Sequence, residues 1–299
     1  MKIKQVLEAL EQFAPLPLQE SWDNAGLQIG LTEAEVSGAL LCLDVTEAVI
    51  DEAVRRGCNL VVSHHPLLFR GLKQVADLND VQRMVRRAIK EDVCVVSMHT
   101  NLDNADGGVN FRIAERLSLA TDGHGVSSLA TDGHGLSSLV TDGHGLGTDA
   151  FRATESHGLG ADLVEAMGGE QHPGQWVMLT LARPMDARAF IEHVKTRLEA
   201  DCAACNELLQ RQIRRVAICG GAGDFLLDEV IGKGADAFVT GEMHYHQYFG
   251  HEQELQICVV GHYESEHFTK ELLRDIIEQA CPGVRCCVAE TNTNPIIYI

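Results

Sequence analysis

The chain has 299 residues, enough for two domains of ordinary size or one large one. Its 45% hydrophobic and 22% charged residues exclude a wholly disordered chain. With 24 Lys+Arg against 43 Asp+Glu the formal charge is −19, which argues against nucleic acid or an anionic membrane as the main partner, because phosphate binding draws on clustered cations.

The opening residues, MKIKQVLEALEQF, place apolar side chains at helical spacing and predict a helix over 3–13, stopped by Pro15 and Pro17. They lack the apolar run of a secretory signal, and no stretch reaches the roughly 18 apolar residues of a membrane span, so a cytoplasmic protein is expected. Trp22-Asp23-Asn24 reads equally as a loop lining a crevice and as a helix-entry turn. Residues 38–45 read as a strand, Thr46 as the cap of a helix ending at Gly57, and 59–63 as a second strand. A helix over 78–90 and a strand over 93–97 complete a strand–helix alternation that predicts an α/β fold with a largely parallel sheet.

Residues 119–210 read as a less regular middle. TDGHG recurs at 121–125, 131–135 and 141–145 with too little apolar surface to close a core. The array is read as a duplicated surface loop, with a metal-gathering arm of His124, His134 and His144 as the sharper alternative. Of the ten Cys, Cys42, Cys94, Cys219 and Cys258 sit in apolar runs and are read as buried thiols. Cys202 and Cys205 form one C-x-x-C with no second pair at zinc-site spacing. Beyond it, strands are expected at 215–219, 237–240 and 256–260, a helix at 225–233, and a long amphipathic helix at 264–280. Residues 291–299 end in an apolar run that suits a closing strand or a subunit contact. The domain division expected is 1–118 for a first α/β lobe, 119–149 for the repeat insert and 150–299 for a second lobe.

Four polar clusters directly follow predicted strands: His64-His65-Pro66; His99 to Asn104, with Asp103; Gly241 to His246, with Glu242; and Gly261 to Glu266, with His262. In an open parallel sheet, ligands bind outside the carboxyl ends of the strands, so these clusters are expected to share one crevice. Neighbouring imidazoles on an extended backbone diverge, which suits two ions better than one, and Pro66 biases His65 toward that conformation. His262 and Glu266, four apart at a helix start, share a face. The resulting mixed N/O ligand set suits Zn, Fe, Mn, Co or Ni better than Ca or Mg. Glu242 and His246 are expected near the ligands as orienting groups or proton carriers, whereas His99 reads as structural. GGAGD at 220–224 reads as a tight turn, with an anion cradle as the alternative.

The segments SWDNAGLQIG, VVSHHPLLF, MHTNLDNADGGVN, AICGGAG, ADAFVTGEMHYHQ and VVGHYESE resemble the Nif3-like dinuclear metal-centre family, whose members are often labelled GTP cyclohydrolase I type 2 homologs. The resemblance runs in order over about 1–118 and 212–299. It implies two interlocked three-layer α/β lobes with a metal site between them, toroidal homohexamers, and two divalent ions per subunit. Carried over by motif, the implied ligands are His64, His65, Asp103, His262 and Glu266. Glu266 would bridge both ions, one also taking His65 and Asp103, the other His64 and His262. The TDGHG array departs from the family's short form.

Two functions follow as expectations. The first is a metal-dependent hydrolase acting on a nucleotide or another small anionic substrate, since two divalent ions outweigh the Asp103 and Glu266 charges and leave the crevice locally positive. In it, His246 or Glu242 would move protons. The second is a non-catalytic metal-binding regulator, carrier or assembly scaffold, because ligand identity alone does not establish turnover.

Overall fold

The structure is a computed structural model that describes residues 1–118, 163–168 and 172–299. The TDGHG array, with His124, His134 and His144, lies outside the described residues.

In chain order the first part forms α1 (Ile3–Phe13), β1 (Gly26–Ile29), β2 (Ala39–Cys42), α2 (Glu47–Arg55), β3 (Leu60–Ser63), α3 (Asp80–Lys90), β4 (Cys94–Ser97), α4 (Thr100–Asp103) and α5 (Val109–Leu117). The second part forms β5 (Leu163–Met167), β6 (Trp176–Met185), α6 (Ala187–Arg197), β7 (Ala204–Cys205), β8 (Ile213–Cys219), α7 (Leu227–Gly232), β9 (Ala237–Thr240), β10 (Gln256–Val259), α8 (His262–Glu266), α9 (Thr269–Ala280) and β11 (Cys286–Val288). Local chemistry sets the boundaries. The Thr46 hydroxyl accepts from the Val49 amide to start α2. Asn79 caps α3 by accepting from the Gln82 amide, so that helix starts two residues later than predicted.

Two sheets result. The first has the order β1-β4-β3-β2-β11, parallel except for the antiparallel edge β1. The second has the order β5-β6-β8-β9-β10-β7, in which only β8-β9-β10 are parallel. The side-chain period of two divides each central strand between two cores. In β3, Leu60 and Val62 join a core shared with α1, α5, α9 and the second sheet, while Val61 faces α2 and α3. In β9, Val239 enters that shared core and Phe238 faces α7. Helices α1, α5 and α9 therefore lie between the sheets and are buried from both sides. Each large side chain in that layer, such as Leu10 or Leu273, contributes roughly 1.5–3 kcal/mol relative to exposure.

Three expectations need correction. The middle is more regular than it reads: β5, β6 and α6 fall within 119–210. Strand β6 begins with four residues buried on both faces, so it carries no alternation to mark it. The helix expected at 264–280 is two, α8 and α9, and the first starts at His262. Residues 291–299 form no strand; β11, pairing in parallel with β2, closes the first sheet instead. The C-terminal stretch thus returns to the sheet that the N-terminal half builds. No helix among the described residues is long and apolar enough to cross a membrane.

Candidate metal centre

Strands β3 and β4 of the first sheet, and β10 of the second, direct their carboxyl ends at one another. His64 and His65 follow β3, and the two side chains separate as the extended backbone requires. The fully buried His64 ring holds its Nδ1 2.8 Å from the Met98 carbonyl oxygen. A carbonyl only accepts, so Nδ1 carries a proton and Nε2 is the ring atom turned toward the carboxylates. That Nε2 is buried without a hydrogen-bond partner. It lies 3.6 Å from Asp103 Oδ1 and 3.7 Å from Glu266 Oε1.

His65 is held the same way. Its Nδ1 is 2.7 Å from Asp44 Oδ1, and its Nε2 is 3.1 Å from Glu266 Oε2. His262 places Nδ1 2.8 Å from Glu242 Oε1 and Nε2 3.1 Å from the same Glu266 oxygen. The His65 and His262 Nε2 atoms are 3.3 Å apart. Three imidazoles are thus tethered at Nδ1 and aim Nε2 at one carboxylate that is 3% exposed. The i,i+4 spacing in α8 brings His262 and Glu266 together, as their spacing predicts.

Two glycines make room for this. Gly261 enters α8 with φ of 109°, where a Cβ would lie 2.1 Å from Glu264 Oε2. Gly221 has φ of 58°, and a Cβ there would lie 2.4 Å from Glu266 Oε1. Three amides of the GGAGD segment are committed inward. Gly220 donates to Asn110 Oδ1, Gly221 to Ser265 Oγ and Gly223 to Thr240 Oγ1. This segment is therefore a tight turn under Glu266.

Burial works against the charge on Glu266, yet the facing His64, His262 and His65 hold its carboxyl well below the usual range. Burial and the neighbouring Glu266 push Asp103 up to about 7, against the pull of His64. Burial opposes protonation of His65, but bonds to Asp44 and Glu266 raise it to about 10. His262 likewise rises to about 9, burial being outweighed by Glu266. The cluster therefore binds positive charge strongly, which is what a cation site does when protons fill it.

The spacings fit a metal. Four-coordinate geometry with bonds of about 2.1 Å separates neighbouring ligand atoms by about 3.4 Å. The contacts above run from 3.1 to 3.7 Å. The donor atoms of His64, His65 and Glu266 all lie within 4.8 Å of one another, and this group can hold a metal ion. The grouping differs from the one the resemblance implied. His64 lies with Asp103 and His65 with His262, because β4 runs beside β3 on the His64 side and β10 faces the His65 side.

The remaining predicted positions separate. Glu242 reaches the cluster through His262. His246 is exposed and its ring lies against Tyr245 and Phe249. His99 stands at the cluster's edge, 5.4 and 5.5 Å from the His64 and His65 ring centroids, with Nδ1 2.7 Å from Asp23 Oδ1. Trp22-Asp23-Asn24 accordingly lines the crevice. Cys202 and Cys205 are exposed, while Cys42, Cys94, Cys219 and Cys258 are buried. Asp44 was not singled out from the sequence, although it follows β2 and obeys the same strand-end rule. Its other oxygen, Oδ2, accepts from the Thr293 hydroxyl at 2.7 Å, so the C-terminal tail braces His65 through Asp44.

Two interlocked sheets with a His–carboxylate cluster at their facing ends define an α/β protein with a group of side chains that could hold a metal ion. The chain belongs to the Duf34/NIF3 (NGG1p interacting factor 3) family, whose model matches residues 1–295. A Bacillus subtilis protein named GTP cyclohydrolase 1 type 2 homolog is 27% identical over 371 aligned positions, covering 99% of this chain and 98% of its own. A Lactococcus lactis protein of the same name is 28% identical over 305, covering both chains fully. Among solved structures, a Staphylococcus aureus hypothetical protein superposes with a TM-score of 0.77 at 24% identity, covering 100% of this chain and 99% of its own. A Bacillus cereus protein related to NIF3 gives 0.75 at 23% with the same coverage.

Proposed function

We propose that the cluster holds two divalent ions and that the protein is a metal-dependent hydrolase of small anionic substrates such as nucleotides, resembling a type 2 GTP cyclohydrolase. The observation that carries this reading is the buried His64 Nε2, which has no hydrogen-bond partner and faces Asp103 and Glu266 oxygens. One ion would be held by His64, Asp103 and Glu266 Oε1, the other by His65, His262 and Glu266 Oε2. When bound, such a pair supplies Lewis-acid polarisation and activates water as a nucleophile. The ligand set suits Zn, Fe, Mn, Co or Ni.

The chain's own residues do the positioning. Met98 O, Asp44 and Glu242 engage Nδ1 of His64, His65 and His262, so that Nε2 is the atom each ring turns to the cluster. Solvent reaches the centre: the side chains of His65, Asp103 and His262 are 21%, 26% and 32% exposed. A cavity of about 470 Å³ borders it at Glu242 and Gly261. Glu242, bonded to His262 Nδ1 and open to solvent, would carry the proton. His246, turned toward Tyr245 and Phe249, lacks that position. A homohexameric assembly is part of the proposal through the family.

The test is to load the purified protein with metal and screen nucleotide and phosphoester hydrolysis beside a His64→Ala, Glu266→Ala double variant. Activity lost in the variant supports the hydrolase. Equal activity in both proteins sinks it, and metal retained without turnover on any substrate favours a carrier or scaffold.

A further inference from the structure

Beside the cluster, the structure leaves two large aromatic side chains uncovered. Among the described residues Trp22 is 59% exposed and Phe69 46%. Single exposed apolar residues are common, but these two touch, with ring centroids 5.9 Å apart at 61°. Both also meet the edge of His99, at 6.1 and 6.4 Å. His99 in turn contacts the rings of His64 and His65. The aromatic pair is therefore the rim of the metal centre.

The rim is braced. Asp23, next to Trp22, accepts from the Thr100 amide at 3.1 Å and bonds His99. Asn24 Nδ2 donates to the Leu68 carbonyl at 2.7 Å, and the Leu68 amide donates to Gln28 Oε1 at 3.0 Å. The loops carrying Trp22 and Phe69 are thus tied to each other and to the start of α4. Preorganisation of this kind lowers the cost of binding a flat ring.

We propose that Trp22 and Phe69 form a stacking platform for the planar ring of the substrate. The substrate class is then a molecule that joins a heteroaromatic base to an anionic group, as a nucleoside phosphate does. A ring on this platform sits two ring-to-ring steps from His64 and His65, so the anionic group joined to it can reach the cluster. For that anionic end the proposal rests on the hydrolase reading; the platform itself does not require turnover.

Trp22 reports on its own occupancy. The chain has two Trp, and the other, Trp176, is fully buried. GMP added to the zinc-loaded protein is expected to quench the Trp22 fluorescence, and ribose 5-phosphate, which lacks the ring, to leave it unchanged. By calorimetry, Trp22→Ala and Phe69→Ala are each expected to weaken GMP binding about 5- to 100-fold, the loss of one base–aromatic stack. Ribose 5-phosphate binding should stay within about twofold, and Trp22→Phe should restore most of the GMP affinity. GMP binding that is absent, or equal in wild type and Trp22→Ala, overturns the platform, whatever hydrolysis is seen. A change of oligomeric state in Trp22→Ala with GMP affinity intact also overturns it, assigning the patch to a subunit contact. Ring-dependent binding with no hydrolysis of any nucleotide sustains the platform and removes the hydrolase.

Discussion

Gly221→Ala tests whether the position of Glu266 sets metal affinity. At φ of 58° any L side chain is strained, and the new Cβ would stand 2.4 Å from Glu266 Oε1. An ordinary C···O contact is about 1 Å longer, so the carboxylate must retreat by on the order of 1 Å, several times the roughly 0.2 Å tolerance of a metal–ligand bond. Backbone strain alone is worth about 1–2 kcal/mol. Gly57→Ala is the matched control: its φ is 66°, yet its Cβ would meet only Arg285 Nη2 at 3.8 Å, and it is remote from the cluster. In denaturant unfolding of the metal-free protein Gly57→Ala should lose about 1–2 kcal/mol, and Gly221→Ala at least as much, since it also displaces Glu266. In competition with a chromophoric chelator, Gly221→Ala should lose at least about tenfold in metal affinity, and Gly57→Ala should lose none. Equal metal affinity in the two variants would refute the placement of Glu266 as a shared ligand.

Asp44→Ala and Thr293→Val should weaken metal binding in that order, the first by about 10- to 100-fold, because Asp44 orients His65 directly and Thr293 acts through Asp44; a chelator titration in which Thr293→Val exceeds Asp44→Ala would reverse the chain of support. Metal affinity should fall with acidity, since His65 and His262, held near 10 and 9 without metal, must each release a proton; a pH-independent affinity between pH 6 and 8 contradicts this. The Glu52 carboxyl is buried, but bonds from Thr291, Glu290 and Arg56 outweigh that burial and hold it at about 2, below its unfolded value of 4.5. Its stabilising contribution of about 3 kcal/mol is therefore complete above pH 4.5 and lost as pH falls toward 2. Acid unfolding of metal-free Glu52→Gln should show a correspondingly shallower pH dependence across that window.

Much of the centre was legible because strand ends and helix spacing are local properties. His64-His65 after an apolar strand, and His262 four residues before Glu266, need no tertiary information to be read as ligand candidates. What the sequence does not carry is which groups meet across the two sheets. The pairing of His64 with Asp103 depends on β4 lying beside β3, and that of His65 with His262 on the second sheet facing the first. Thr293 is invisible for the same reason: it meets Asp44 from 249 residues away. Strand β6, buried on both faces, lacked a period, and β11 is three residues long. Glu242 meets His262, whereas His246, four residues along, is carried out to solvent by the turn that follows β9.

The two-ion centre is tested most directly by anomalous diffraction at the metal edge on crystals of the loaded protein. The expected result is two peaks flanking the Glu266 carboxylate, one beside His64 and Asp103 and the other beside His65 and His262. A single peak, or metal bound away from Glu266, would contradict it.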